Sequence, residues 1–354
     1  MFTIGLRTRT RRAAVFTVMA LLSVVAILGV ACSSSSGGTN KTPSTAPAST
    51  AKPIKLGFSA WPGWFPWQVA QEAGIFKQVG VNVELVWFEG YVDSINALAG
   101  GKLDANSQTL NDTLSSVAAG STQVIVLTND NSTGNDQIIV SDSIKTMQDL
   151  KGKKIGVEAG VVDQFLLYLG LQKAGMSPKD VQIVNLETGA AAAAFAAGQL
   201  DAVGVFAPFT TQALKRPGSH ALFTSKDFPG AIPDHLVVSP ELIKSNPQGV
   251  QKLVEAWFKT LDYMKAHPAE TLQIRAKRAG VSVEEYKDYD AGTTLFSAAD
   301  NVKAFGSGND YKSLQFAQKE ISKFLVDTEL VKSAPNLTGV LDPQFIQVYA
   351  KNNK

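Results

Sequence analysis

Cysteine is almost absent from this 354-residue chain: there is one, Cys32, so no intramolecular disulfide can form. Histidine is equally scarce, at three, which leaves little material for a His/Cys metal site. Charged residues make up only 18%, and neither sign prevails, with 33 basic against 31 acidic side chains. Four of the cations (Arg7, Arg9, Arg11, Arg12) precede Cys32, so the remainder holds 29 basic and 31 acidic residues. A body with that balance lacks the basic footprint of a nucleic-acid binder. No Walker or GxGxxG phosphate loop occurs, and no serine has a plausible His/Asp pair. What the chain has in quantity is apolar residues, 45%, enough to bury a sizeable core over a length suited to about two domains.

The four arginines are followed by an apolar run over residues 13–31, the layout of a secretory signal peptide. Its length also approaches that of a membrane-spanning helix. Leu28-Gly29-Val30-Ala31-Cys32 resembles a bacterial lipobox, which makes Cys32 the expected lipid-attachment site, with residues 1–31 removed. An uncleaved helix and plain secretion are the competing readings, and Arg11-Arg12 leaves the export route, general secretory or twin-arginine, open. Residues 32–52 are rich in Ser, Thr, Pro, Ala and Gly; such a composition cannot build a core and reads as a tether with an average reach of about 25 Å.

Beyond the tether the chain repeats itself. Ala-Leu-Ala-Gly-Gly-Lys-Leu-Asp-Ala at 97–105 matches Ala-Phe-Ala-Ala-Gly-Gln-Leu-Asp-Ala at 194–202, and Leu56-Gly57 matches Ile155-Gly156. Offsets near 100 residues are too long for a solenoid and fit two copies of one α/β unit. Each copy reads strand, helix, strand, helix, strand, which predicts two lobes, each a mainly parallel sheet flanked by helices. The expected division is lobe one at 53–141, lobe two at 142–237, and a return to lobe one with C-terminal helices at 238–354. Asn246-Pro247 should start a helix that ends at His267-Pro268, with Val250, Leu253, Val254, Trp257, Leu261 and Met264 as its buried stripe. Further helices are expected at 268–279, 283–289 and 311–329.

Ligands of open parallel sheets bind beyond the carboxyl ends of the strands, and facing loop sets of two lobes make a cleft. The loops that should line it run over 59–64, 89–91, 106–109, 130–136, 158–163, 187–189 and 206–209. From the order and spacing of Glu72-Ala73-Gly74-Ile75-Phe76, Val81-Asn82-Val83-Glu84, residues 97–104 and Asp149-Leu150-Lys151-Gly152-Lys153-Lys154-Ile155-Gly156-Val157, the body over 53–350 resembles the solute-binding proteins of bacterial ATP-driven (ABC) importers. It is most similar to the nitrate/sulfonate/taurine type, which includes binders of thiamine-pyrimidine precursors. The resemblance implies a type II periplasmic-binding-protein fold whose lobes close over a small solute and present it to a membrane permease. It implies a monomer with no cofactor and no catalysis, held to the extracytoplasmic face of the membrane by its lipid. A sensor lipoprotein, and an enzyme akin to the thiamine-pyrimidine synthases, are the alternatives.

The expected ligand contacts are stacking by Trp61, Trp64 and Tyr91 and hydrogen bonds from Gln108, Thr109 and Thr133. Asp136 and Glu158 are expected to grip a ligand amine from opposite lobes. The candidate loops hold Glu89, Asp130, Asp136, Glu158 and Asp163 but no Arg or Lys, a balance suited to an amine or a heterocycle. Trp67 and Trp87 read as core, Asp104 and Asp201 as equivalent structural turn residues, Arg216 as a solvated surface residue, and His267 as a helix stop.

Overall fold

The computed structural model describes residues 52–353; Cys32, the signal peptide and most of the tether lie outside the described residues. Eleven strands are formed: β1 Ile54–Phe58, β2 Val83–Trp87, β3 Ala105–Thr109, β4 Val124–Ser132, β5 Asp136–Val140, β6 Lys154–Val157, β7 Gln182–Asn185, β8 Ala202–Phe206, β9 His220–Thr224, β10 Pro233–Val238 and β11 Thr293–Leu295. They build two sheets, one ordered β11-β4-β10-β3-β1-β2 and the other β7-β6-β8-β5-β9.

The repeat is visible in both. β2-β1-β3 and β7-β6-β8 are parallel trios in matching order, with Leu56 opposite Leu85 in one and Ile155 opposite Ile183 in the other. Two details show why the sequence repeats where it does. Asp104 Oδ2 accepts the backbone N–H of Lys55 at 2.8 Å, and Asp201 Oδ2 accepts that of Lys154 at 2.9 Å. Gly57 and Gly156 lie where a Cβ would meet Leu103 Cδ1 at 2.4 Å and Leu200 Cδ1 at 2.5 Å, so a bare backbone lets each leucine lie across its strand. The two aspartates thus play the structural turn role expected of them.

Beyond the trios the pairing turns antiparallel: β10 against β3 and β4, β11 against β4, and β5 against β8 and β9. β5 belongs to the second sheet and β10 to the first. The chain therefore crosses between lobes at 133–135 and 225–232, earlier than the expected boundaries at 141 and 237. An antiparallel strand is what a crossing requires, since each connection brings the chain back from the end the last strand reached. The crossings are tied together by Ser225, whose Oγ lies 2.7 Å from Ser132 Oγ and accepts the N–H of Gly134 at 2.8 Å.

Helices run as the spacing predicts in the C-terminal part. Pro247–Ala266 is capped by Asn246, whose Oδ1 accepts the N–H of Gly249 at 2.9 Å, and buries Val250, Leu253, Val254, Trp257 and Leu261. Pro268–Ala279, Val283–Ala291 and Leu314–Asp327 follow, and His267 separates the first two of this series. Helix Pro247–Ala266 packs on the helices Pro66–Glu72 and Ile75–Val79 of lobe one. Trp67 is fully buried there, tilted against Trp257 with ring centres 4.8 Å apart and donating to Ser107 Oγ at 3.0 Å. Trp87 is at the edge of the core: β2 is the outer strand of its sheet, and the half-buried indole packs on Phe58 and Phe65 while carrying the Arg278 guanidinium 3.5 Å from its ring centre and donating to Glu89. Arg216 is likewise held rather than solvated, donating to the carbonyls of Leu200 and Phe195 across the Phe195 ring.

Candidate functional site

The carboxyl ends of β1, β3 and β8 point at one another across the crossings. The turn after β1 carries Trp61-Pro62-Gly63-Trp64, and helix Tyr91–Ala99 starts beside it. With Thr109 at the end of β3, Asp136 at the start of β5, Val162 at a helix start, Phe206 at the end of β8, Ile232 on the second crossing and Asp234 on β10, these residues line a narrow cavity with room for about one water molecule. Its walls come from both lobes. Phe206 of lobe two meets Trp61 and Tyr91 of lobe one edge-on, with ring centres 6.3 Å apart in each case, so the lobes are in contact over the space. Trp61 and Trp64 are tilted against each other at 6.4 Å, and Trp64 lies 5.2 Å from Tyr91. All four rings are at least nine-tenths buried.

Carboxylates crowd this aromatic box. Trp61 Nε1 donates to Asp130 Oδ1 at 2.9 Å. Gly63 makes that approach possible, because a Cβ there would fall 1.9 Å from Asp130 Oδ2. Asp130 sits opposite Asp234 in the β4–β10 register. Burial pushes Asp130 up to about 8 and raises Asp234 well above the carboxylate range, the neighbouring acid adding to the rise in Asp234. Asp136 is raised to about 7 by burial, against a single hydrogen bond from Ser132. Asp112, at the start of helix Leu110–Ala118, is also pushed to about 7 by burial, although the Thr109 hydroxyl donates to it at 2.6 Å. In lobe two the Thr188 hydroxyl stands 2.8 Å from both Glu158 Oε2 and Asp163 Oδ2, and its one proton serves one of them at a time. Both acids are raised, burial being the larger cause.

Of the expected ligand residues, Trp61, Trp64, Tyr91, Thr109 and Asp136 come together around the cavity. Gln108 does not: successive strand residues face opposite ways, and its side chain is spent on Thr113, Gln123 and Asn106 beneath the sheet. Thr133 lies on the first crossing and is bonded to Gly292 and Thr294 instead. Glu158 stands behind the wall on Thr188, and it shares lobe two with Asp136, so these two acids do not face each other across lobes. The acid opposite Asp136 is Asp234, which the sequence reading missed. A carboxylate inside the apolar strand Pro233–Val238 was the available signal, and the strand's place at a crossing was not readable without the fold. The histidines do not assemble: His220 is on the outer strand β9 and His267 at a helix junction. His235 is fully buried beside Gln108 and Thr128, with burial lowering it to about 3 and keeping its ring neutral.

The chain is similar to known proteins both in sequence and in fold. The family model described as NMT1/THI5 like matches residues 61–271. A candidate binding protein of Brucella abortus is 31% identical over 231 residues, 64% of this chain and 71% of that protein. The taurine-binding periplasmic protein of Escherichia coli is 32% identical over 158 residues, 43% of this chain and 48% of its own. Among solved structures, the alkanesulfonate-binding protein of Xanthomonas axonopodis pv. citri bound to MOPS superposes with a TM-score of 0.69 at 19% identity, over 83% of this chain and 99% of that one.

Proposed function

The chain belongs to the NMT1/THI5-like family, and from that premise we propose that it is the extracytoplasmic solute-binding receptor of an ATP-driven importer. The observation that carries the proposal is the cavity at the crossings, walled by Trp61, Trp64, Tyr91 and Asp234 from one lobe and by Asp136 and Phe206 from the other. These walls meet only while the lobes are together, so a solute held between them stabilises the closed form by the difference between its affinities for the two forms. The closed lobes would then be the form a permease recognises. The residues present bind and enclose; no nucleophile with a base stands at the cavity, so the reading is capture and delivery, with the energy for transport coming from a separate ATPase. The lipid on Cys32 and the tether of residues 32–52 would hold the receptor near its permease.

The test is contraction on binding. Small-angle scattering of the protein with and without solute should show a smaller radius of gyration in the bound form. A panel of amines, heterocycles, sulfonates and nitrate that changes neither the radius nor the melting temperature would remove the receptor reading. Anchoring is checked separately: Cys32→Ala should move the protein from the membrane fraction to the medium, and continued membrane retention would exclude the lipid.

A further inference from the structure

The cavity has a deficit of hydrogen-bond donors. Asp130 Oδ2, Asp136 Oδ2, Asp163 Oδ1 and Asp234 Oδ2 are all buried without a hydrogen-bond partner. Among the side-chain donors of the wall, Trp64 Nε1 is unpartnered, on a ring that is 2% exposed. No Lys, Arg or His contributes to the wall. Behind it, Tyr286 gives its hydroxyl to the Pro62 carbonyl, and the nearest guanidinium, Arg275, is spent on Asp290 and on the Tyr286 ring. Arg278 lies over Trp87 and Phe58, beside Glu89.

We propose that the cleft takes a small organic cation bearing at least two N–H donors, an amine or amino-heterocycle, received by Asp136 from lobe two and Asp234 from lobe one. The indoles of Trp61 and Trp64, with Tyr91 and Phe206, would enclose its carbon skeleton and offer their ring faces to its charge. This inference rests on the receptor reading of the same site and names the class of its solute. A sulfonate or nitrate would bring further acceptors and a negative charge beside carboxyl oxygens that already lack partners, with Trp64 Nε1 as the unpartnered side-chain donor of the wall, so the solutes named for the relatives are a poor match to these side chains. A bare metal ion fits no better: among the described residues no three His, Cys, Asp or Glu side chains are placed to hold one.

The same geometry makes closure conditional on charge. Asp112, Asp130 and Asp234 of lobe one face Asp136, Asp163 and Glu158 of lobe two, with Asp93 and Glu187 beyond Glu158 and the neutral hydroxyls of Tyr91 and Tyr286 as the remaining titratable groups. When ionised, these acids repel one another across the cleft and hold the empty receptor open. A cation, or protons, relieves the repulsion.

The experiment pairs thermal shift with small-angle scattering on the protein, its Asp136→Asn and Asp234→Asn variants, and the double variant carrying both. The probes are 1,4-diaminobutane, agmatine and 4-aminopyridine against ethanesulfonate and nitrate. At least one cationic probe should raise the melting temperature and contract the wild type, with apparent affinity falling tenfold or more in each variant and falling as pH is lowered from 7.5 to 5. Without any probe, the wild type should contract between pH 8 and pH 5.5, and the double variant should be compact at both. Each Asn is the neutral isostere of its Asp, so the variants retain the packing; their own melts without probe check folding. Binding of ethanesulfonate or nitrate, cation binding that survives both variants, or silence toward all three cations overturns the proposal. The radius tells this failure from that of the receptor reading. Contraction driven by an anion removes the cation and leaves the receptor, whereas a radius insensitive to every probe and to pH removes both.

Discussion

Trp61 holds two parts of the site at once: its ring walls the cavity against Phe206, and its Nε1 supplies the one side-chain donor from a neutral residue to Asp130. Trp61→Ala should therefore weaken solute binding by about 1–3 kcal/mol, as central aromatic anchors do, while far-UV circular dichroism stays unchanged. Undiminished affinity in that variant would place the solute elsewhere. The duplicated aspartates test a different kind of role. Asp104 and Asp201 each accept a backbone N–H from the first strand of their own trio. Replacing either by Ala should cost about 1 kcal/mol in a urea titration and leave solute affinity intact. If only one of the two substitutions is felt, the structural equivalence of the two sites fails with it.

At the scale of elements, the two lobes are joined at the crossings. Their segments, 133–135 and 225–232, meet at Ser225, whose Oγ bridges Ser132 and the Gly134 amide. Ser225→Ala leaves that amide without its acceptor and frees the first crossing from the second. The expected outcome is a loss of roughly 1–2 kcal/mol in stability, the usual cost of a buried group left unsatisfied. Because Ser225 touches none of the cavity wall, rates of solute capture and release should change more than equilibrium affinity, which stopped-flow tryptophan fluorescence can separate. Equal effects on affinity would mean that the crossing is part of the site. The parallel trios, in contrast, are rigid platforms: Gly57 and Gly156 keep a leucine pressed on each, and their strand ends aim the aromatic turn and Phe206 at the cleft.

For the whole molecule, the consequence of so many buried acids is an inverted dependence on pH. Burial raises Asp112 and Asp136 to about 7 and Asp130 to about 8, against about 3.9 in an unfolded chain. Between about pH 4 and pH 8 the closed fold thus binds more protons than the unfolded chain, so its stability falls as pH rises through that window. The ligand-free protein should melt at a higher temperature at pH 5.5 than at pH 8, and a solute cation should narrow the difference. A melting temperature that climbs steadily from 5.5 to 8 would show that these acids are hydrated in the resting protein. Opening of the lobes limits the loss, since it returns the carboxylates to water without unfolding either sheet. The exposed caps act the other way at lower pH: Asp149, Asp180 and Glu285 are lowered by the donors they cap.

Composition and internal repetition determine much of this protein by themselves. The duplicated strand–helix units, the aspartate turns, the capped C-terminal helices and the aromatic turn Trp61–Trp64 are local features, written in residues close together in the chain, and the structure carries them as the spacing predicts. The same is true of five cavity residues, because strand ends and the turns after them are local too. What the tertiary structure alone decided is long-range. The sheet to which β5 and β10 belong follows from pairing between residues 62 to 133 positions apart, and no periodicity within a segment reveals it. That pairing sets Asp234 opposite Asp130, turns Gln108 away from the space that Thr109 faces, and puts Asp136 and Glu158 in one lobe instead of two. Burial did the rest: a carboxylate's charge at neutral pH depends on the water around it, and only the closed arrangement of the two lobes says how much remains.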